Sequence, residues 1–133
     1  MQSALTEIFG DVISSYTRGQ AVEDGVLIDV TEMAREAGIT LPVVVTARLW
    51  AEVITPDPRS VPYGQSIEGR LWDTLSMLKY ALMTGHAQAG YMFHFSAYYI
   101  MKARQRRLLK LKAFCGPYDS EEPGFTIMLP NES

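Results

Sequence analysis

The hydrophobic period of this chain changes once, and that change decides most of what the chain can fold into. From Ser66 to Thr84, Leu71, Trp72, Leu75, Leu78 and Leu82 recur at three- and four-residue steps, the pattern of a helix with one buried face. Gly85 follows as a C-terminal stop. Beyond it the period falls to two. Tyr91, Phe93, Phe95 and Tyr99 fall on one face of a strand, with Met92, His94, Ser96, Tyr98 and Ile100 on the other. Leu109, Leu111, Ala113 and Cys115 alternate with Lys110, Lys112 and Phe114, as in a strand with one wet face. Lys102–Arg107 reads as a polar hairpin between these two strands, and Phe125–Leu129 as a third. A long helix followed by a meander predicts an α+β fold.

The N-terminal half adds short elements. Thr17 and Gln20 fit a capping box for a short helix, Arg18–Asp24, which Gly25 ends. Val26–Val30 has the β-branched apolar character and length of a strand. Thr31 is expected to cap a second short helix, Glu32–Ala37, closed by Gly38. Pro42–Thr46 reads equally as a buried strand or as the entry to a helix, and helix is expected from about Thr46. Three prolines and a glycine in residues 55–65 mark a loop. The whole predicts a small antiparallel sheet, the C-terminal meander plus an N-terminal strand. One long helix and two or three short ones pack against it.

At 133 residues, 47% hydrophobic and 20% charged, the chain suits one globular domain spanning 1–133. Cys115 is the single cysteine, so no disulfide can close within the chain. With two histidines besides, a closed Cys/His zinc site has too few ligands, and no metal or cofactor is expected. No apolar run reaches membrane-spanning length, and the N-terminus lacks the charged and apolar regions of a signal peptide. The expected compartment is the cytoplasm. The net charge of −3 is uneven: residues 1–73 carry a balance of −6 and residues 74–133 one of +3.

Several blocks resemble a known family. Phe9-Gly10-Asp11-Val12-Ile13, Tyr16-Thr17-Arg18, Gln20 to Leu27 and Ala34-Arg35-Glu36-Ala37-Gly38 look like the opening of a family of small proteins of unknown function, DUF6573. Gly69-Arg70-Leu71-Trp72-Asp73 resembles its central block, and Cys115-Gly116-Pro117 and Thr126 to Pro130 its ending. The departures are the proline-rich loop 55–65 and the Lys102–Arg107 hairpin. The resemblance implies a bacterial setting on plasmids, integrative elements or phages, and no activity.

Three further features bear on function. The Tyr16-Thr17-Arg18 to Gly25-Val26-Leu27 block resembles the opening of ADP-ribosyltransferase folds, where a late glutamate, here Glu121 or Glu122, would activate the acceptor. The usual histidine or arginine of the first strand is replaced by Ser14 or Ser15, and a plain capped helix explains the block as well. The cations Lys102, Arg104, Arg106, Arg107, Lys110 and Lys112 beside aromatic strands suit phosphate binding, although a pI of about 5.3 is far from that of a general nucleic-acid binder. A solvated loop is the plainer account. His94 and Cys115 could form a nucleophilic dyad if adjacent, but a lone histidine and a lone cysteine in a sheet are usually packing residues, and no catalytic residue is assigned. Glu23, Asp24, Asp29, Arg18 and Arg70 suit either ion pairs or a polar pocket at the Gly69–Asp73 helix start.

The leading expectation is a non-enzymatic accessory protein acting through an unidentified protein partner, with counter-defence as its extension. The rival is a small-molecule or nucleotide-binding module using Tyr16, Arg18, Arg70 and Glu121 or Glu122. Nucleic-acid binding through hairpin 102–112 is the third. Oligomeric state lies beyond the sequence.

Overall fold

The structure is a computed structural model, and it describes residues 18–84, 87–88, 92–100, 106–117 and 123–132. In chain order these form α1 (Arg18–Glu23), β1 (Leu27–Asp29), α2 (Thr31–Glu36), β2 (Val43–Thr46) and α3 (Ala47–Leu49). The last runs directly into a π-helical turn, Trp50–Ile54, and a 3-10 turn follows at Val61–Tyr63. Then come α4 (Ile67–Met83), β3 (Ala87–Gln88), β4 (Met92–Ile100), β5 (Arg106–Pro117) and β6 (Pro123–Met128).

The fold is α+β: six strands form one sheet in the order β1-β2-β6-β5-β4-β3, with one long and several short helices. Every pairing is antiparallel except β2 with β6, which is parallel and joins Val43 to Phe125 and Val45 to Ile127. The C-terminal meander β4–β5–β6 and the N-terminal strand β1 therefore meet through β2. Pro42–Thr46, open between strand and helix entry, is both: Val43–Thr46 is strand, and the Thr46 hydroxyl caps α3 by accepting from the Leu49 N–H at 3.1 Å.

Local chemistry accounts for most boundaries. Gly25 and Gly38 end α1 and α2 at φ of 76° and 96°, a region costly for any residue with a Cβ. Thr31 is not the expected cap: the N-cap is Val30, which has no side-chain cap. Thr31 is the first helical residue, and the Asp29 carboxylate accepts from its N–H at 2.9 Å and its hydroxyl at 2.6 Å. Ser66 Oγ caps α4 by accepting from the Gly69 N–H at 3.0 Å. The capping box at Thr17 and the stop at Gly85 lie outside the described residues. So does the hairpin tip, but Arg106 and Arg107 belong to β5, since Arg106 pairs with Ile100.

One face of the sheet makes the core. Phe95, Ala97 and Tyr99 of β4, Leu111 and Ala113 of β5, Phe125 and Ile127 of β6, and Val43 and Val45 of β2 are buried there. Leu71, Leu75 and Leu78 of α4 close over them with Leu49, Val53 and Ile54. Phe93 and Phe125 meet edge to face, 5.9 Å between centroids. Among the described residues no helix is long and apolar enough to cross a membrane.

Candidate functional site

Arg70 sits where α4, the loop and the end of β4 converge. It is 2% exposed. Its Nη1 donates to the Val53 carbonyl at 2.8 Å, its Nη2 to the Ile100 carbonyl at 2.6 Å, and its Nε to Gln65 Oε1 at 3.0 Å. The π-helical turn presents that Val53 carbonyl, its last ring closed by the Thr55 N–H on Trp50 O at 2.8 Å. The guanidinium also lies 5.8 Å from the centre of the Tyr99 ring. Burial pulls its pKa below the ordinary arginine value, opposed by Tyr99 and Asp57. A cation held by protein oxygens in this way ties α4 to the π-helical turn and to the end of β4. Tyr16, Glu121 and Glu122 lie outside the described residues, as does the side chain of Arg18.

The second face of the sheet is different. On β4 and β5 the register sets His94 opposite Lys112, Ser96 opposite Lys110, Tyr98 opposite Leu108, Ile100 opposite Arg106 and Met92 opposite Phe114. These ten positions hold three permanent cations and no carboxylate. Tyr98 is 56% and Phe114 39% exposed, and the Arg106 guanidinium stands 5.1 Å from the centre of the Tyr98 ring. Among the described residues the one ion pair is Arg48–Glu52, at 2.7 Å on α3 and the π-turn. Arg107, also exposed, falls on the opposite parity at the end of the strand. Lys102 and Arg104 of the expected patch lie outside the described residues. Phe93 and Phe95, the aromatics most obvious in the sequence, face inward; the exposed pair is Tyr98 and Phe114, and the alternation of Phe114 with Lys110 and Lys112 was the available signal.

The β4 edge is the third feature. Among the described residues β3 pairs with β4 at Ala87–Phe93 and Gln88–Met92. From His94 to Ile100 the ladder therefore has β5 on one side, and no strand on the other among the described residues. No residue of β4 is a proline or a permanently charged side chain. α4 lies over this strand, with Met77 exposed and Tyr80 57% exposed.

His94 and Cys115 do not form a dyad: His94 stands on the outer face opposite Lys112, and Cys115 shares the register position of the buried Phe125 on the inner face. Burial raises the Cys115 thiol pKa, which disfavours its nucleophilic form. Among the described residues no group of three or more His, Cys, Asp and Glu side chains could hold a metal ion.

These features define a small α+β protein whose β4, without permanent charges, has a single described neighbouring strand from His94 on, beside an aromatic and cationic sheet face. A match to the family described as "Family of unknown function (DUF6573)" spans residues 6–133, and the chain belongs to that family. Comparison with curated proteins gives no match, and neither does comparison with solved structures.

Proposed function

We propose that this is a non-enzymatic accessory protein of a bacterial mobile element, working in the cytoplasm by binding a partner protein that adds a strand to the β4 edge. The setting, and counter-defence as its purpose, rest on the family resemblance. The docking mode rests on one observation: among the described residues, β4 from His94 to Tyr99 has β5 as its one neighbouring strand, with neither a permanent charge nor a proline in that stretch. Edge strands normally carry lysine, proline or a bulge, because unpaired N–H and C=O groups recruit another chain. An edge without those guards suits a protein that uses it. Strand addition supplies affinity through main-chain hydrogen bonds, and side chains near the edge supply selectivity. Met77 and Tyr80 on the overlying α4 are apolar surface of the kind enriched at such interfaces.

The test is capture from bacterial host cells with wild type and Ser96→Glu, followed by hydrogen exchange on the purified complex. Ser96 faces Lys110, so the new carboxylate has a cation opposite it and the fold should tolerate it. A stoichiometric partner held by wild type, weakened by Ser96→Glu and protecting the β4 amides is the expected result. No stoichiometric partner, or a partner that leaves those amides exchanging freely, ends the reading. Self-association through β4 would replace the foreign partner with a second copy.

A further inference from the structure

We propose that the outer face of β4–β5 binds single-stranded nucleic acid, with Lys110, Lys112 and Arg106 on the phosphates and Phe114 and Tyr98 as stacking surfaces. This uses the face of the sheet rather than its edge, so it stands or falls separately from the protein-docking reading. It begins from electrostatics. Lys110 and Lys112 are two residues apart on one strand, about 7 Å along it, and point to the same side. Neither makes an ion pair among the described residues, and the facing positions are Ser96 and His94. Neighbouring like charges repel in the free protein, and a polyanion laid across them relieves that cost. The whole chain carries −3, so this concentration of cations is not a by-product of a basic composition.

The aromatics choose between polyanions. On the outer side of β5, Gly116 pairs with Gly124 of β6, so neither strand raises a side chain there. A Cβ on Gly116 would collide with the ring of Phe114. The ring therefore lies over the Gly116 backbone, and Phe114 as a whole is 39% exposed. A flat, supported ring beside cations is what a splayed base needs, and it adds nothing to the recognition of carboxylate side chains. Tyr98, at the other end of the hairpin, is held beside the Arg106 guanidinium, which can also stack on a base. From Leu108, opposite Tyr98, to Phe114 is six residues, about 20 Å of strand, with the two lysines between. That is a run of a few nucleotides, within the usual size of such sites. A duplex keeps its bases stacked inside and offers these rings nothing, so single strands should win.

The experiment measures anisotropy of labelled oligo-dT and oligo-U, about 12 nucleotides long, against the full chain across a salt series. A duplex and polyglutamate serve as competitors. Saturable binding that weakens with salt is expected. Lys110→Gln with Lys112→Gln should reduce the log–log salt slope by about 1.4, roughly 0.7 for each lost phosphate contact. Phe114→Leu should weaken binding roughly fivefold to a hundredfold and leave the slope unchanged, because stacking carries no counterion release. Arg35→Gln with Arg59→Gln removes two charges elsewhere and should change the slope little. Thermal melts confirm that each variant is folded. No binding at low salt overturns the proposal. So does binding that the Gln pair and Phe114→Leu leave unchanged, or displacement by polyglutamate as effective as by oligonucleotide, which would assign the face to an acidic polypeptide.

Discussion

Arg70 Nη2 donates to the carbonyl oxygen of Ile100 at 2.6 Å, fastening the first turn of the long helix to the last residue of β4. The same guanidinium holds the Val53 carbonyl at 2.8 Å, so one side chain ties three segments that are far apart in sequence. Burying it costs solvation, as the lowered pKa registers, and the hydrogen bonds offset that cost.

Arg70→Ala should therefore be among the most damaging substitutions in the molecule. It leaves the Val53 and Ile100 carbonyls without these donors, and hydrogen bonds to a charged group are each worth roughly 1.5–3 kcal/mol. A loss of about 3–5 kcal/mol in urea unfolding is expected. Arg70→Lys should recover part of it, since an ammonium on a flexible stem does not reproduce the planar fork that reaches several acceptors. A change below about 1 kcal/mol for Arg70→Ala would show that the three segments hold without this tie.

Tyr99 makes stability sensitive to alkaline pH. Burial pushes its pKa from 10.0 up to about 12, and its hydroxyl meets Thr74 Oγ1 at 2.6 Å. Thr74 also donates to the Arg70 carbonyl at 2.8 Å, which leaves the tyrosine as donor in the pair. Between pH 10 and about 12 the unfolded chain has lost this proton and the folded chain keeps it, so stability falls as pH rises through that window. The loss attributable to Tyr99 is about 2–3 kcal/mol at 1.36 kcal/mol per unit. Urea unfolding across this range should show a slope in wild type that Tyr99→Phe reduces; equal slopes would place the hydroxyl in contact with water.

How much of this was readable in the sequence depended on whether one face of an element was wet. The alternation of Leu109, Leu111 and Ala113 with Lys110 and Lys112 placed β5 and both its faces, because one face meets solvent. Val43, Val44 and Val45 gave no such signal: β2 is a strand buried on both faces, and a short run of valines reads the same in a strand or a buried helix. Its parallel pairing with β6 was equally hidden, since it joins segments some eighty residues apart. Thr31 was a sound cap by type, but the helix begins at Thr31 itself, and the Asp29 carboxylate at the end of β1 accepts from the Thr31 N–H and hydroxyl. Arg70 was singled out from its charge and its place at a helix start, neither of which shows the carbonyls that it holds. Charge next to a helix start suggests a ligand, whereas the acceptors here are carbonyls of Val53 and Ile100 that only the folded chain brings together. The place of β4 beside β5 and the short β3 had no sequence signature beyond its missing charges, because neighbours in a sheet are a property of strand order.

The contact between Phe114 and Gly116 can be isolated by a double-mutant cycle. In wild type the Phe114 ring occupies the space that a Cβ on Gly116 would need, so Gly116→Ala forces the ring or the strand to move. Overpacking of this kind costs roughly 1–3 kcal/mol. In a Phe114→Ala background the ring is gone, and the same Gly116→Ala change should be nearly neutral or stabilising, because alanine restricts the unfolded chain more than glycine does. The coupling between the two positions should then be at least about 1 kcal/mol by thermal or urea unfolding, well above the ~0.5 kcal/mol scatter of independent sites. Additive effects would mean that the ring does not rest on the glycine. That result would also withdraw the flat aromatic surface on which the nucleic-acid proposal depends.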